Sequence, residues 1–196
     1  MAFAARQHWC LVRRAELRGC DSTAYAPLAA KDEAIPIGHG QVTSQPSLIG
    51  RMVEALELSG SERVLEIGTG FGYQTAVLAT LADQVYSIEI LSDVAEHARR
   101  NLERAGIHNA MVVIGDGTQG LPAYAPYQAI VVSAAAPMVP QALIEQLADD
   151  GRLVQPIGHG GDERVIAFRK RNGRLSEERM LTAACFVPLV SRIEGP

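Results

Sequence analysis

From about residue 60 onward the chain alternates short β-branched apolar runs with longer stretches of helical periodicity, and no other feature restricts its fold as much. Residues 63–67, 84–89, 110–114 and 127–133 read as strands, and 73–81 and 92–105 as helices, the second closed by Gly106. A helix over 139–148 and a strand over 152–156 continue the series. Parallel neighbours need a crossover, and these runs are apolar on both faces, so helices must cover both sides. Residues 163–169, the Asn172-Gly173 turn and a run into 186–190 read as an antiparallel strand pair finishing the sheet. The expected fold is α/β: a doubly wound, Rossmann-like, mostly parallel sheet with an antiparallel C-terminal pair. Ahead of it, Leu48, Ile49, Met52, Val53 and Leu56 recur at helical spacing over 46–58, with Pro46 suited to the first turn. Residues 1–31 give only a faint helix over 6–18 and are set apart as an N-terminal segment before a domain spanning 32–196.

Composition narrows the function. With 196 residues, 47% apolar and 20% charged, the chain can bury one full-sized core and is too apolar for disorder. Arg6, Arg13 and Arg14 interrupt the start before a secretory apolar region could form, and no apolar run is long enough to span a bilayer, so the expectation is a cytoplasmic protein without membrane contact. A net charge of -4 argues against nucleic acid as a partner. Arg164, Arg169, Lys170, Arg171 and Arg174 cluster locally, but a solvated hairpin accounts for them. Cys10, Cys20 and Cys185 are too scattered for a metal site or redox pair, and His39 and His159 have no companion ligands, so no metal is expected.

The chemistry concentrates in Val64-Leu-Glu-Ile-Gly-Thr-Gly-Phe-Gly-Tyr-Gln74, where a strand runs into alternating glycines and then a helix. Such a loop turns sharply and leaves room for a ligand at the helix start. Its Gly-x-Gly-x-Gly spacing is neither the dinucleotide fingerprint nor a phosphate loop. Glu66, inside the strand, suits a cation better than a pyrophosphate, such as the sulfonium and amino group of S-adenosyl-L-methionine. Glu89 ends the next strand, where a carboxylate can accept both ribose hydroxyls. Asp116 and Gly117 follow the third strand, where they can read an adenine edge.

Further motifs carry a resemblance. Pro36-Ile-Gly-His-Gly-Gln41 leading to Ser44-Gln-Pro46, the glycine loop, Gly115-Asp-Gly117, Ala134-Ala-Ala-Pro137 with Pro140, Gly151-Arg-Leu153 with Pro156-Ile-Gly158, and Phe186-Val-Pro-Leu189 occur in order. Over roughly residues 32–190 the chain resembles the protein-L-isoaspartate (D-aspartate) O-methyltransferases, a family of class I methyltransferases. The resemblance implies methyl transfer from S-adenosyl-L-methionine to the carboxylate of L-isoaspartyl, and more weakly D-aspartyl, residues of damaged proteins or peptides, initiating repair and leaving S-adenosyl-L-homocysteine. It implies a monomer. It makes Ser44 the catalytic hydroxyl beside the acceptor carboxylate, with Gly38, Gln41, Thr43 and Gln45 in the substrate loop and Ala135, Pro137, Val187 and Leu189 lining the peptide cleft. It assigns the cofactor to Glu66, Gly68, Thr69, Gly70, Gly72, Glu89, Asp116 and Gly117. Read without the family, Ser44 is an N-cap for the helix at Pro46. The chain departs from the family pattern at Phe71, Val42 and Cys185 and in residues 1–31. These departures keep open a carboxyl methyltransferase for another peptide or a small metabolite, and a cofactor-binding paralogue without turnover.

Overall fold

A computed structural model describes residues 31–191, so the helix expected over 6–18 lies outside the described residues. The first unit among the described residues is one the sequence analysis read only as a loop. Strands β1 (Ile35–Gly38) and β2 (Gln41–Thr43) pair antiparallel as a short hairpin, turned at His39 and Gly40. Helix α1 (Pro46–Glu54) follows, shorter than the expected 46–58, and its open first turn is closed from outside by the Asp32 carboxylate, which accepts the Ser47 N–H at 2.8 Å. The N-cap position is Gln45, without a side-chain cap bond, so the capping alternative for Ser44 is not realised.

Strand β3 (Arg63–Ile67), helix α2 (Tyr73–Ala79), strand β4 (Gln84–Glu89), helix α3 (Ser92–Arg104) and strand β5 (Ala110–Ile114) match their expected places closely. Two 3₁₀ turns, Gly117–Gln119 and Pro122–Tyr124, lead into β6 (Tyr127–Val132). Helix α4 (Gln141–Gln146) passes directly into β7 (Leu147–Ile157), and β8 (Arg164–Arg171) and β9 (Arg174–Ala183) close the chain's sheet. Its order is β5-β4-β3-β6-β7-β8-β9, parallel through β7 and antiparallel beyond. The strand order therefore reverses between β3 and β6, and at that switch point the carboxyl ends of neighbouring parallel strands part to leave a crevice.

Alternation along each strand divides the core. Val64, Val85, Val112, Ala129, Val131 and Val154 face α1, α2 and α3 on one side. Leu65, Ile67, Tyr86, Ile88, Ile130 and Leu153 face α4 and the 3₁₀ turns on the other, where Tyr124 stacks on Tyr86 at a centroid distance of 4.3 Å. Burial on both faces is why these strands read as unbroken apolar runs.

Two expectations near the end of the chain need correction. The helix expected to reach 148 stops at Gln146, because Leu147 turns extended and Lys170 Nζ donates to the carbonyls of Ile144 (2.8 Å) and Leu147 (2.7 Å). One member of the basic cluster is thus a structural tie from the β8–β9 hairpin to the end of α4. Residues 186–190, expected as the last strand, leave the hairpin once the Ala184 N–H is taken by the Glu163 carbonyl. They cross the carboxyl ends of the parallel strands instead and meet Ala135, which donates to the Val187 carbonyl at 2.8 Å and accepts from the Leu189 N–H at 2.7 Å. Pro188 between them has no N–H, so it can sit in a bridge but not within a central ladder.

Replacing Lys170 by Met should leave both carbonyls without their charged donor and cost about 1–3 kcal/mol in urea unfolding, with cofactor affinity unchanged. Equal unfolding midpoints would show that the tie is dispensable.

Candidate active site

The crevice over the switch point opens into a cleft of about 890 Å³ counted out to its mouth. Its floor is the glycine loop, its roof the β1–β2 hairpin through Ile37, Gln41, Val42 and Thr43, and one wall the crossing segment 187–190. Of the residues assigned from sequence, Gly68, Thr69, Gly70, Glu89, Gly117, Gln41, Thr43, Ser44, Val187 and Leu189 line it.

The loop is held from two directions. Gly68 takes φ +90, and a Cβ there would lie 3.3 Å from Ser133 Cβ, so the turn needs glycine both for conformation and for contact with the end of β6. Above it, Glu89 Oε2 accepts the Gly70 N–H at 2.9 Å, and Oε1 accepts the N–H groups of Ile90 (2.9 Å) and Leu91 (3.1 Å). A carboxylate has roughly four acceptor positions, so Glu89 can lock the loop and still present a lone pair to the cleft. Ile88, Ile90 and Val94 add apolar surface around it.

Glu66 is not where the sequence analysis put it. It lies fully buried beneath the loop, outside the cleft lining, because its carboxylate is drawn to hydroxyls and an amide. Thr75 Oγ1 donates to Oε2 at 2.5 Å, Ser87 Oγ to the same oxygen at 2.6 Å, and Gln74 Nε2 to Oε1 at 3.0 Å. Burial outweighs these bonds and pushes the carboxyl up from 4.5 to about 7. Thr69 joins the network through Ser87 at 2.6 Å, and Gln74 reaches on to Ser133 Oγ at 2.9 Å.

Asp116 is also diverted from the cleft. Its Oδ1 accepts both the N–H and the hydroxyl of Thr118, capping the 3₁₀ turn, while Oδ2 accepts from Ser191 at 2.7 Å. Gly117 beside it does line the cleft, and only glycine fits, since a Cβ would fall 2.3 Å from Ile67 Cγ2. Gly72 sits behind the loop as the N-cap of α2. Phe71 lines the cleft but stacks on His97 of α3 at 4.2 Å, which accommodates the bulk that sets it apart from the family pattern.

A second groove begins where the first ends. Val42 and Ser44 line both, and the second continues past Gln45, Ser47, Leu48 and Arg51 of α1 to residues 182–185, including Cys185. Gln45 therefore faces the second groove, Gly38 is exposed at the hairpin turn, and Ala135 and Pro137 lie outside both linings, Ala135 acting through its bridge to the crossing segment. His39, read as a loop histidine, reaches Asp93 Oδ2 at 2.7 Å and so ties the hairpin turn to the first turn of α3. Sequence reasoning missed Gln74 and Ser133, both in the cleft wall. Their signal was positional: Gln74 closes the glycine motif, and Ser133 follows the carboxyl end of the strand beside β3.

With this geometry in view, the comparisons are decisive. Residues 14–194 match the family described as Protein-L-isoaspartate(D-aspartate) O-methyltransferase. The chain belongs to that family. Protein-L-isoaspartate O-methyltransferases of Methanoculleus marisnigri and Geobacter metallireducens are 52% and 49% identical to it, over 84% and 86% of this chain and 74% and 78% of their own. A solved protein-L-isoaspartate O-methyltransferase aligns at 30% identity with a TM-score of 0.75, covering 90% of this chain, which spans 60% of that one. A beta-aspartate methyltransferase from Plasmodium falciparum, solved in complex with S-adenosyl-L-homocysteine, has the same fold at 22% identity, with a TM-score of 0.72 and 94% of both chains covered. The sheet, its antiparallel end and the cofactor, S-adenosyl-L-methionine, are those of this family. The residues fit such a group: an acceptor carboxylate, a glycine floor, neutral polar atoms and apolar walls share one cleft.

Because Glu66 holds its proton more tightly folded than unfolded, its contribution to stability falls as pH rises from about 4.5 to about 7 and is flat above. The fall should amount to roughly 3 kcal/mol. Glu66→Gln, a neutral isostere, should remove it, so the difference in unfolding free energy between wild type and variant should change across that interval. Parallel pH profiles would contradict the assignment.

Proposed function

We propose that this chain methylates the side-chain carboxylate of L-isoaspartyl, and more weakly D-aspartyl, residues in damaged proteins or peptides, the first step of their repair. The observation that carries the reading, beside family membership, is the position of Ser44 at the junction of the two grooves. Its hydroxyl has no partner among the described residues, so it is available to hold one oxygen of an acceptor that lies along the second groove and reaches into the first.

The cofactor supplies a methyl group on a sulfonium sulfur. An acceptor carboxylate with an ordinary pKa near 4 is already ionised at neutral pH, so the protein need not remove a proton. Transfer of that methyl to a carboxylate oxygen would give an ester and a neutral thioether, the carbon–sulfur pair remaining on sulfur. Ser44 aims the acceptor, with Gln41 and Thr43 beside it in the hairpin roof. Val187 and Leu189 shield the site from water, which favours the aligned approach of the reacting atoms. Gly68, Thr69, Gly70 and Gly117 would hold the cofactor against the strand ends, and Glu89 would accept a ribose hydroxyl on its remaining lone pair.

The test is transfer of labelled methyl to a matched peptide pair that differs only in L-isoaspartyl against L-aspartyl. Base-labile label on the isoaspartyl peptide alone is expected, and Ser44→Ala should lower kcat/KM about 10- to 100-fold while cofactor affinity stays unchanged. Label on neither peptide despite cofactor binding would mean a different acceptor, and unchanged turnover would remove Ser44 from the mechanism.

A further inference from the structure

We infer that Arg51 sets the flanking preference of the methyl acceptor, reading an acidic side chain placed roughly two to four residues from the isoaspartyl residue along the second groove. The inference rests on the function proposed above and names the substrates it favours.

The second groove encloses about 790 Å³ counted out to its mouth, with α1 along one side and the end of β9 and the residues after it along the other. Its lining is neutral everywhere except at Arg51, being made of small and apolar side chains, hydroxyls, one amide and the Cys185 thiol. Arg51 is exposed, and its guanidinium has no ion pair or hydrogen bond among the described residues. Glu54, three residues on, does not pair with it and lies outside the lining. A guanidinium stays charged at neutral pH and offers planar donors that match a carboxylate. The one cation of an otherwise neutral groove therefore has an acidic group as its complement.

Position turns this charge into a register. Ser44 stands where the groove meets the cleft, and Arg51 lies along the helix that forms its side. A helix rises about 1.5 Å per residue, which puts Arg51 roughly 8 Å beyond Pro46. An extended peptide advances about 3.3 Å per residue, so one whose isoaspartyl carboxylate lies at Ser44 brings a side chain roughly two to four residues away against Arg51. The chain's net charge of -4 offers acidic peptides no general attraction, so the preference depends on where the substrate's charge falls. Arg51 is remote from the reacting atoms and holds ground state and transition state alike. Its effect therefore falls on KM and not on kcat.

Initial rates on twin isoaspartyl peptides, identical except for glutamate or glutamine at one position, test this. In one set that position lies roughly two to four residues from the isoaspartyl on either side, and in a second set about eight residues away. At low salt the near glutamate should lower KM about 3- to 10-fold against its glutamine twin at equal kcat, and the distant glutamate should make no difference. The advantage should shrink as salt is raised. Arg51→Gln should make the near twins equal, Arg51→Glu should reverse their order, and Arg51→Lys should keep most of the preference. If Arg51 served only the end of α1, where a cation favours the helix dipole, its variants would change both twins alike and leave their ratio as in wild type. That result, equal KM values for every twin pair in the wild-type protein, or a glutamate advantage independent of position would overturn the inference and leave the proposed function standing. Absence of methyl transfer to any isoaspartyl peptide would remove that function and this inference with it.

Discussion

The active-site loop stands on a carboxyl group buried beneath it. Glu66 joins β3, on which it lies, to β4 through Ser87 and to α2 through Gln74 and Thr75. Through Gln74 the same network reaches Ser133 at the end of β6. Three strand ends and a helix are thus fixed relative to one another by one side chain, and the glycines above it are free to be thin because the rigidity is supplied below. A buried carboxyl would be costly if unsatisfied, and here three donors converge on it. Its partial neutralisation near neutral pH lowers the remaining cost.

The roof is fixed differently, by surface contacts. The β1–β2 hairpin contributes few buried residues, Ile35 and Thr43 among them, and its turn is tied to α3 by the exposed pair His39 and Asp93. Exposed pairs of this kind contribute little to stability. The floor of the cleft therefore belongs to the core, while the part that must admit an acceptor is held by contacts that are inexpensive to break. Ser44 sits where the two meet, at the end of the hairpin and just before α1.

What could be read from the sequence follows from the range of the forces involved. The strands β3 to β6 and helices α2 and α3 announce themselves because local periodicity and burial coincide. The direction of Glu66 could not be read: in a strand buried on both faces, an acidic residue between Leu65 and Ile67 is hidden whichever side it takes. Asp116 was misplaced because a short-range bond to Thr118 competed with the ligand-facing role that its position after β5 implied. The β1–β2 hairpin was missed because three- and four-residue strands leave too short a pattern. Residues 186–190 looked like a strand by composition, yet their partner is the isolated Ala135, a pairing no local signal encodes. The candidate residues nonetheless converge, since most were chosen as carboxyl ends of parallel strands, and topology alone brings those ends together.

The composition of the cleft bears on the chemistry as directly as its polar groups. Transfer from a sulfonium cation to a carboxylate anion destroys both charges, so the transition state is less polar than the reactants that precede it. Water stabilises the separated ions more than that state and so opposes the reaction, whereas an apolar enclosure does not. Ile37, Ile49, Ile67 and Ile88, which on sequence grounds count only as packing residues, line the cleft together with Val187 and Leu189 and provide such an enclosure. In the function proposed, the few polar atoms among them act by direction: Ser44 towards the acceptor and Glu89 towards a ribose. A site of this kind needs no proton-transfer group, because an acceptor carboxylate is already ionised at neutral pH.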